Sequence, residues 1–265
     1  MLIDIGVNLS HKSFANDTRE VLRSAHENGI RKLIITGTSV CESNRMIALL
    51  NQYSTEFPGM LYGTVGIHPH AASEFSNDST ADLRHLLTQP GVVAIGETGL
   101  DFHRNLAPKE MQVKCFEAHL SLASEIELPL FMHEREASKL QIDILKNRRK
   151  DFSKGVIHCF TGDRQTLYQY LDMDLHIGIT GWICDPRRGM PLQDLVADIP
   201  LDRLMIETDS PYLLPRNLAF PPKDGRNEPS FLPWVVSGIA ACRGESKEEI
   251  AEQTGKTAIK FFGLE

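Results

Sequence analysis

Short runs of apolar and β-branched residues recur along the chain at 2–7, 33–36, 61–66, 92–96, 128–132, 156–160, 177–180 and 204–208. Within each run the apolar positions are continuous rather than alternating, the pattern of parallel strands covered on both faces. The stretches between them read as helices. Asn16-Asp17-Thr18 leads into one over 19–25, and Pro108-Lys109-Glu110 opens a run to about Ile126, with proline and acidic residues where helix N-termini favour them. Gly29, Gly59, Gly91 and Gly155 each fall a residue or two before a strand, where a helix or loop must end. The proline-rich segment from Leu214 to Pro233 reads as a loop after the last strand. The tail from Glu245 reads as two closing helices, with Ser246-Lys247-Glu248-Glu249 as a capping box.

Eight strand–helix units in 265 residues average about 33 residues each, the period of a (β/α)8 barrel. The predicted fold is therefore α/β, a single TIM barrel spanning 1–265 as one domain; an open doubly wound sheet is the alternative for the same alternation. Composition agrees, with 42% hydrophobic and 24% charged residues, enough to build a core without staples. A formal charge of −7 excludes a protein held on nucleic acid or an anionic membrane by an overall basic surface, so any phosphate site must be local. Five cysteines with no CxxC pair indicate neither a disulfide framework nor a zinc knuckle, which predicts a reducing compartment. The N-terminus MLIDIGVNLSHK lacks the features of a signal peptide, and no apolar run approaches the about 18 residues of a membrane span. A cytoplasmic monomer with no membrane partner is expected.

Ionisable residues fall where these strands end. Strand four runs into Glu97 and Asp101 (GETGLD), strand five into His133, strand six into His158, and strand eight into Glu207 and Asp209. In a barrel those carboxyl ends converge on one face, where catalytic groups gather. His133 follows Glu97 by 36 residues and His158 follows His133 by 25, about one unit each; Asp209 lies 51 further on, nearer two, so strand seven offers no ligand. Two imidazoles and two carboxylates on one face suit Mg²⁺, Mn²⁺ or Zn²⁺, and Glu97 could bridge two ions. Taken singly, His133 or His158 is more often a hydrogen-bonded structural histidine, and Glu97 or Asp209 a helix cap; convergence is what favours metal. Strand three adds Gly66-Ile67-His68-Pro69-His70, a rigid turn that aims an imidazole at the same mouth, with His70 open between substrate contact and turn structure. His11, His26, His85, His103, His119 and His176 are assigned no chemistry.

At these residues the sequence resembles the TatD family of metal-dependent deoxyribonucleases among the amidohydrolase-like barrels. The likeness runs through DIGVNL at 4–9, GIHPH at 66–70, AIGETGLDF at 94–102, FMHER at 131–135, IHCFTG at 157–162, GITGW at 178–182, ETDSPYLLP at 207–215 and RNEP at 226–229. The resemblance implies metal ligation by Glu97, His133, His158 and Asp209, with Glu97 and Asp209 also catalytic, and a catalytic or substrate-handling part for His68. One departure stands out: where most relatives carry His-x-His at the end of strand one, this chain has Gly6 and Asn8. Glycine cannot ligate through a side chain and an Asn oxygen is a weak ligand, so preference should move from Zn²⁺ toward Mg²⁺, with Mn²⁺ next.

The resemblance further implies a 3′→5′ exonuclease acting on single-stranded DNA or DNA 3′ ends, with RNA as a further substrate, in DNA repair or nucleic-acid degradation. Arg135, Arg187, Arg188, Arg216 and Arg226 are candidates to clamp phosphates, Phe102, Phe160, Trp182 and Tyr212 to stack unpaired bases, and His70 to meet substrate. The metal would acidify a water whose proton passes to Asp209 or His68. Two other readings are weighed: an amide or ester hydrolase, such as a deacylase of misacylated tRNA, and, because His-x-His is missing, a catalytically weak binding or quality-control protein, against which the four ligand candidates and the RNEP loop argue.

Overall fold

The structure, a computed structural model, describes residues 1–264, the Asn77 side chain apart. Among them, strands β1 (Leu2–Val7), β2 (Ile30–Ile35), β3 (Leu61–Val65), β4 (Val92–Asp101), β5 (Leu130–Arg135), β6 (Gly155–Ile157), β7 (His176–Ile179) and β8 (Leu204–Ile206) form one sheet in chain order, each parallel to the next. Val7 pairs in parallel with Ser210, and the Asn8 and Asp209 amides donate to Ser210 O and Gly6 O at 2.8 and 2.9 Å, so the last strand returns to the first. The α/β barrel expected from the spacing of apolar runs is present. Its helices are α1 (Thr18–Glu27), α2 (Val40–Tyr53), α3 (Asn77–Leu86), α4 (Lys109–Glu125), α5 (Ser138–Asn147), α6 (Arg164–Asp172), α7 (Met190–Gln193), α8 (Leu232–Arg243) and α9 (Lys247–Phe262).

Strand parity splits the core in two. Ile3, Ile5, Ile34, Ala94, Phe131, Val156 and Met205 point inward and pack with Phe261, Phe262 and Leu264 at the end of α9. Their neighbours Leu33, Ile35, Ile95, Leu130, Met132, Ile157 and Leu204 face outward beneath the helices. Each of these side chains except Ala94 contributes roughly 1.5–3 kcal/mol by burial. Phe261 lies 4.6 Å from His176, the first residue of β7, so the apolar plug closes the barrel at its N-terminal end. Polar groups are thereby left to the opposite face.

Three boundaries differ from the pattern. β4 runs on to Asp101, because pairing with β5 resumes at Thr98 beyond an irregularity after Ile95. Among the described residues only α9 lies beyond Glu245: the first closing helix, α8, begins at Leu232, just inside the stretch read as loop. Ser246 caps α9 by accepting the Glu249 amide, and Gly263, in the left-handed region at φ 66°, ends it.

Candidate active site

A cleft of about 690 Å³ opens at the C-terminal face of the barrel, lined by His68, His70, Glu97, Asp101, His133, His158 and Asp209 among others. At its centre is Glu97, buried on β4. His158 Nε2 stands 2.7 Å from Glu97 Oε1, and His68 Nε2 and His133 Nδ1 each stand 3.2 Å from that same oxygen. The His133 and His158 rings are 5.7 Å apart, centre to centre, so strands five and six deliver their imidazoles to one point. His68, Glu97 and His133 each offer a ligand atom within 4.8 Å of the others.

Burial by itself would raise the Glu97 carboxyl, but the adjoining His158 and His68 outweigh it and hold it well below its ordinary range. Burial likewise opposes charge on His158, yet Glu97 and Glu207 on either side lift its pKa well above the usual value. His68 follows the opposite course: burial dominates and pushes it down to about 4. Asp209 rises to about 7 through burial, with Glu97 and Glu207 adding to the push against the pull of His158.

Two carboxylates noted at strand ends, but given no part, stand directly behind these imidazoles. Asp101 Oδ2 lies 2.7 Å from His70 Nε2 and 3.3 Å from His133 Nε2. Burial works to raise Asp101, but these contacts and the Arg104 amide outweigh it and hold it far below the ordinary range. Glu207 accepts the Cys159 amide, and its Oε2 lies 3.4 Å from His158 Nδ1. The available signal was proximity, since Asp101 lies four residues from Glu97 and Glu207 two from Asp209, at the ends of β4 and β8.

The Gly6 and Asn8 departure has a steric reason. A Cβ on Gly6 would sit 2.3 Å from Glu207 Oε2, so Glu207 fills the space a strand-one side chain would need. Asn8 is not turned as a ligand: its oxygen accepts Thr36 Oγ1–H at 2.7 Å and its amide donates to Asp209 Oδ1 at 2.9 Å.

The remaining candidates divide. His70, Arg135, Trp182 and Tyr212 line the cleft, joined by Lys12, Arg45 and Arg104, whose places depend on loop geometry invisible in the pattern. Arg188, Arg187 and Arg216 are not among the lining residues; Arg188 stands over the Trp182 indole at 6.0 Å. Arg226 must be reassigned. Its guanidinium donates to Ser13 O, Asp17 and Glu228 and lies over Phe14, so it ties the loop after β8 to the chain before α1 instead of facing substrate. Phe160 is buried against Tyr170 and presents no face for stacking.

The donors suit a divalent cation. Three imidazole nitrogens crowd one carboxylate oxygen, borderline and hard donors together, while His158 Nδ1 and Glu207 Oε2 are buried with no hydrogen-bond partner. A bound cation would supply the positive charge that this arrangement otherwise demands from protons.

Comparison with known proteins identifies the family. Residues 3–263 match the family described as TatD related DNase. The chain is 48% identical over 263 residues to the "3'-5' ssDNA/RNA exonuclease TatD" of Erwinia amylovora, covering 99% of this chain and 100% of that protein. Among solved structures it is similar to a hydrolase TatD family protein from Entamoeba histolytica (TM-score 0.90, 27% identity, 100% of this chain and 98% of that one). It is also similar to YJJV, a TatD homolog from Escherichia coli K12 (TM-score 0.89, 27% identity, the same coverage).

Proposed function

The chain belongs to the TatD related DNase family, and on that footing we propose that it is a metal-dependent 3′→5′ exonuclease hydrolysing phosphodiester bonds of single-stranded DNA and RNA. One observation supports this most: His68, His133 and His158 gather on a single oxygen of Glu97 in a cleft walled by Lys12, Arg45, Arg104 and Arg135. In this reading Glu97, His133, His158 and Asp209 hold the cation, Mg²⁺ first, with Mn²⁺ or Zn²⁺ compatible with the same donors. When bound, the cation polarises a phosphoryl oxygen and lowers the pKa of a water.

The chain's own residues supply the rest. Asp209, steadied by the Asn8 amide, accepts the proton of the attacking water. His68, neutral at physiological pH, donates from Nε2 toward Glu97 and toward charge developing beside it. Arg135 with Arg45 and Arg104 grips phosphates, and Trp182 and Tyr212 offer faces to unpaired bases. His70, bonded to Asp101, steadies the strand-five side of the cleft. Because the plug on α9 closes the barrel below, a strand end can enter the cleft but cannot thread through it, which favours stepwise cutting from an end. Residues 1–265 act together as one catalytic domain, a cytoplasmic monomer trimming 3′ ends in repair or degradation. No helix among the described residues is long and apolar enough to cross a membrane.

The test is a single-stranded oligonucleotide labelled at its 5′ end. With Mg²⁺ it should shorten stepwise, EDTA should stop the reaction, and added Mg²⁺ or Mn²⁺ should restore it. A product pattern dominated by internal cuts, or full activity after metal removal verified by elemental analysis, overturns the proposal. Release of amino acid from aminoacyl-tRNA with no oligonucleotide cleavage would transfer the assignment to an ester hydrolase.

A further inference from the structure

The three imidazoles that meet at Glu97 differ in what stands behind them. His133 turns Nδ1 to Glu97 and has Asp101 Oδ2 at 3.3 Å from its Nε2. His158 turns Nε2 to Glu97 and has Glu207 Oε2 at 3.4 Å from its Nδ1. His68 also turns Nε2 inward, but its Nδ1 accepts the His70 backbone N–H at 3.0 Å.

A neutral imidazole carries one N–H and one lone pair, on opposite nitrogens. A carboxylate behind the ring takes the N–H and leaves the lone pair facing the centre; a backbone N–H behind it does the reverse. From this contrast we propose that Asp101 and Glu207 are positioning residues that hold His133 in its Nε2–H form and His158 in its Nδ1–H form. These two rings, and not His68, then present lone pairs to a divalent cation. The inference rests on the reading that this cleft holds such a cation.

Both carboxylates are fixed in place. Asp101 also accepts the Arg104 amide on Oδ1 at 2.8 Å, and its own backbone N–H is held by Gln112 of α4 at 2.9 Å. Glu207 is seated between two glycines: a Cβ on Gly6 or Gly178 would come within 2.3 or 2.7 Å of its oxygens. Glu207 Oε2 and His158 Nδ1 are both buried, have no other hydrogen-bond partner among the described residues, and face each other at 3.4 Å. The same logic separates His68 from the ligands although its nitrogen lies equally near Glu97. Its N–H points where theirs is absent.

The experiment uses the full chain labelled with ¹⁵N-histidine and loaded with ¹¹³Cd²⁺. One-bond cadmium–nitrogen couplings are expected to His133 Nδ1 and His158 Nε2, with the protons on the opposite nitrogens and no coupling to His68. Coupling to His68, coupling through the opposite nitrogens, or no coupling to His133 and His158 overturns the inference. A second measurement follows Mn²⁺ affinity by EPR. Asp101→Ala and Glu207→Ala should each bind Mn²⁺ about 10- to 100-fold more weakly, and Asp101→Asn, which keeps an acceptor, should recover part of the loss. Affinity within about twofold of wild type in both alanine variants would overturn it equally. A chain that shows the couplings yet leaves oligonucleotides intact sinks the exonuclease reading and leaves this inference standing.

Discussion

Replacing Gly6 with alanine puts one methyl group where Glu207 Oε2 now lies, and the contact distance gives the size of the effect. The added Cβ would stand 2.3 Å from that oxygen, so the carboxylate must retreat by about 1 Å to reach ordinary contact. Retreat strains its bond from the Cys159 amide and its approach to His158, inside a packed barrel centre where one excess methyl costs about 1–3 kcal/mol. In a chain of this size each kcal/mol lowers Tm by roughly 2–4 °C. The reasoning is specific to Glu207, which makes a double-mutant cycle the right assay. In a Glu207→Ala background the main obstruction is gone and only Phe131 Cζ, at 3.3 Å, must give by a few tenths of an ångström, so Gly6→Ala should be neutral or stabilising by up to about 1 kcal/mol, since Gly6 is not in the left-handed region. Urea unfolding of the four proteins should therefore give a coupling of about 1–4 kcal/mol. Additivity within about 0.5 kcal/mol would refute the claim that Glu207 occupies the space of a strand-one side chain. By the same argument, Gly6→His alone does not recreate a His-x-His metal site.

His133→Ala deletes a ligand, so added Mn²⁺ should recover part of its lost rate, whereas His68→Ala should lower kcat by about 10²-fold with Mn²⁺ affinity unchanged and no recovery; full recovery of His68→Ala by metal would make His68 a ligand. His119 is buried on α4, its Nδ1–H donating to Cys115 O and its Nε2 accepting the Ile67 amide beside His68, and burial pushes its pKa to about 4. The folded state needs the neutral form, so this stabilisation is complete above about pH 6.5 and is lost as pH falls toward 4. The stability gap between wild type and His119→Gln should narrow by about 2–3 kcal/mol between pH 7 and 4.5, and a gap independent of pH contradicts it. Arg226→Ala should reduce stability by about 1–3 kcal/mol through loss of its bonds to Asp17 and Glu228, with KM for oligonucleotide unchanged. A large rise in KM at wild-type stability would return Arg226 to the substrate site.

The positions of Glu97, His133, His158 and Asp209 could be read from sequence because each ends a recognisable apolar run, and the barrel turns that one-dimensional fact into a shared face. His68 was readable for the same reason, helped by the proline that stiffens its turn. Asp101 and Glu207 were visible at strand ends, yet nothing in the pattern tells a carboxylate that faces a cation from one that backs a ligand; that depends on which nitrogen of a ring it meets. Arg226 looked like a phosphate clamp because its partner Asp17 lies 209 residues away. Phe160 looked available for stacking because the pattern does not show that Tyr170 of α6 covers it. The inner and outer faces of the barrel, by contrast, follow from parity alone.

The hydrogen bond between Asn8 and Asp209 joins residues 201 positions apart, and the strand that carries Asp209 to the cleft is the last of eight. A growing chain thus exposes Glu97, His133 and His158 long before the ring can shut. If Asp209 acts as proposed, the cleft is complete only with closure. For a nuclease made beside other nucleic acids, this order of assembly withholds the Asp209 side of the cleft from every unfinished chain. C-terminal truncations that stop short of β8 should be inert toward oligonucleotides even where they retain the histidines.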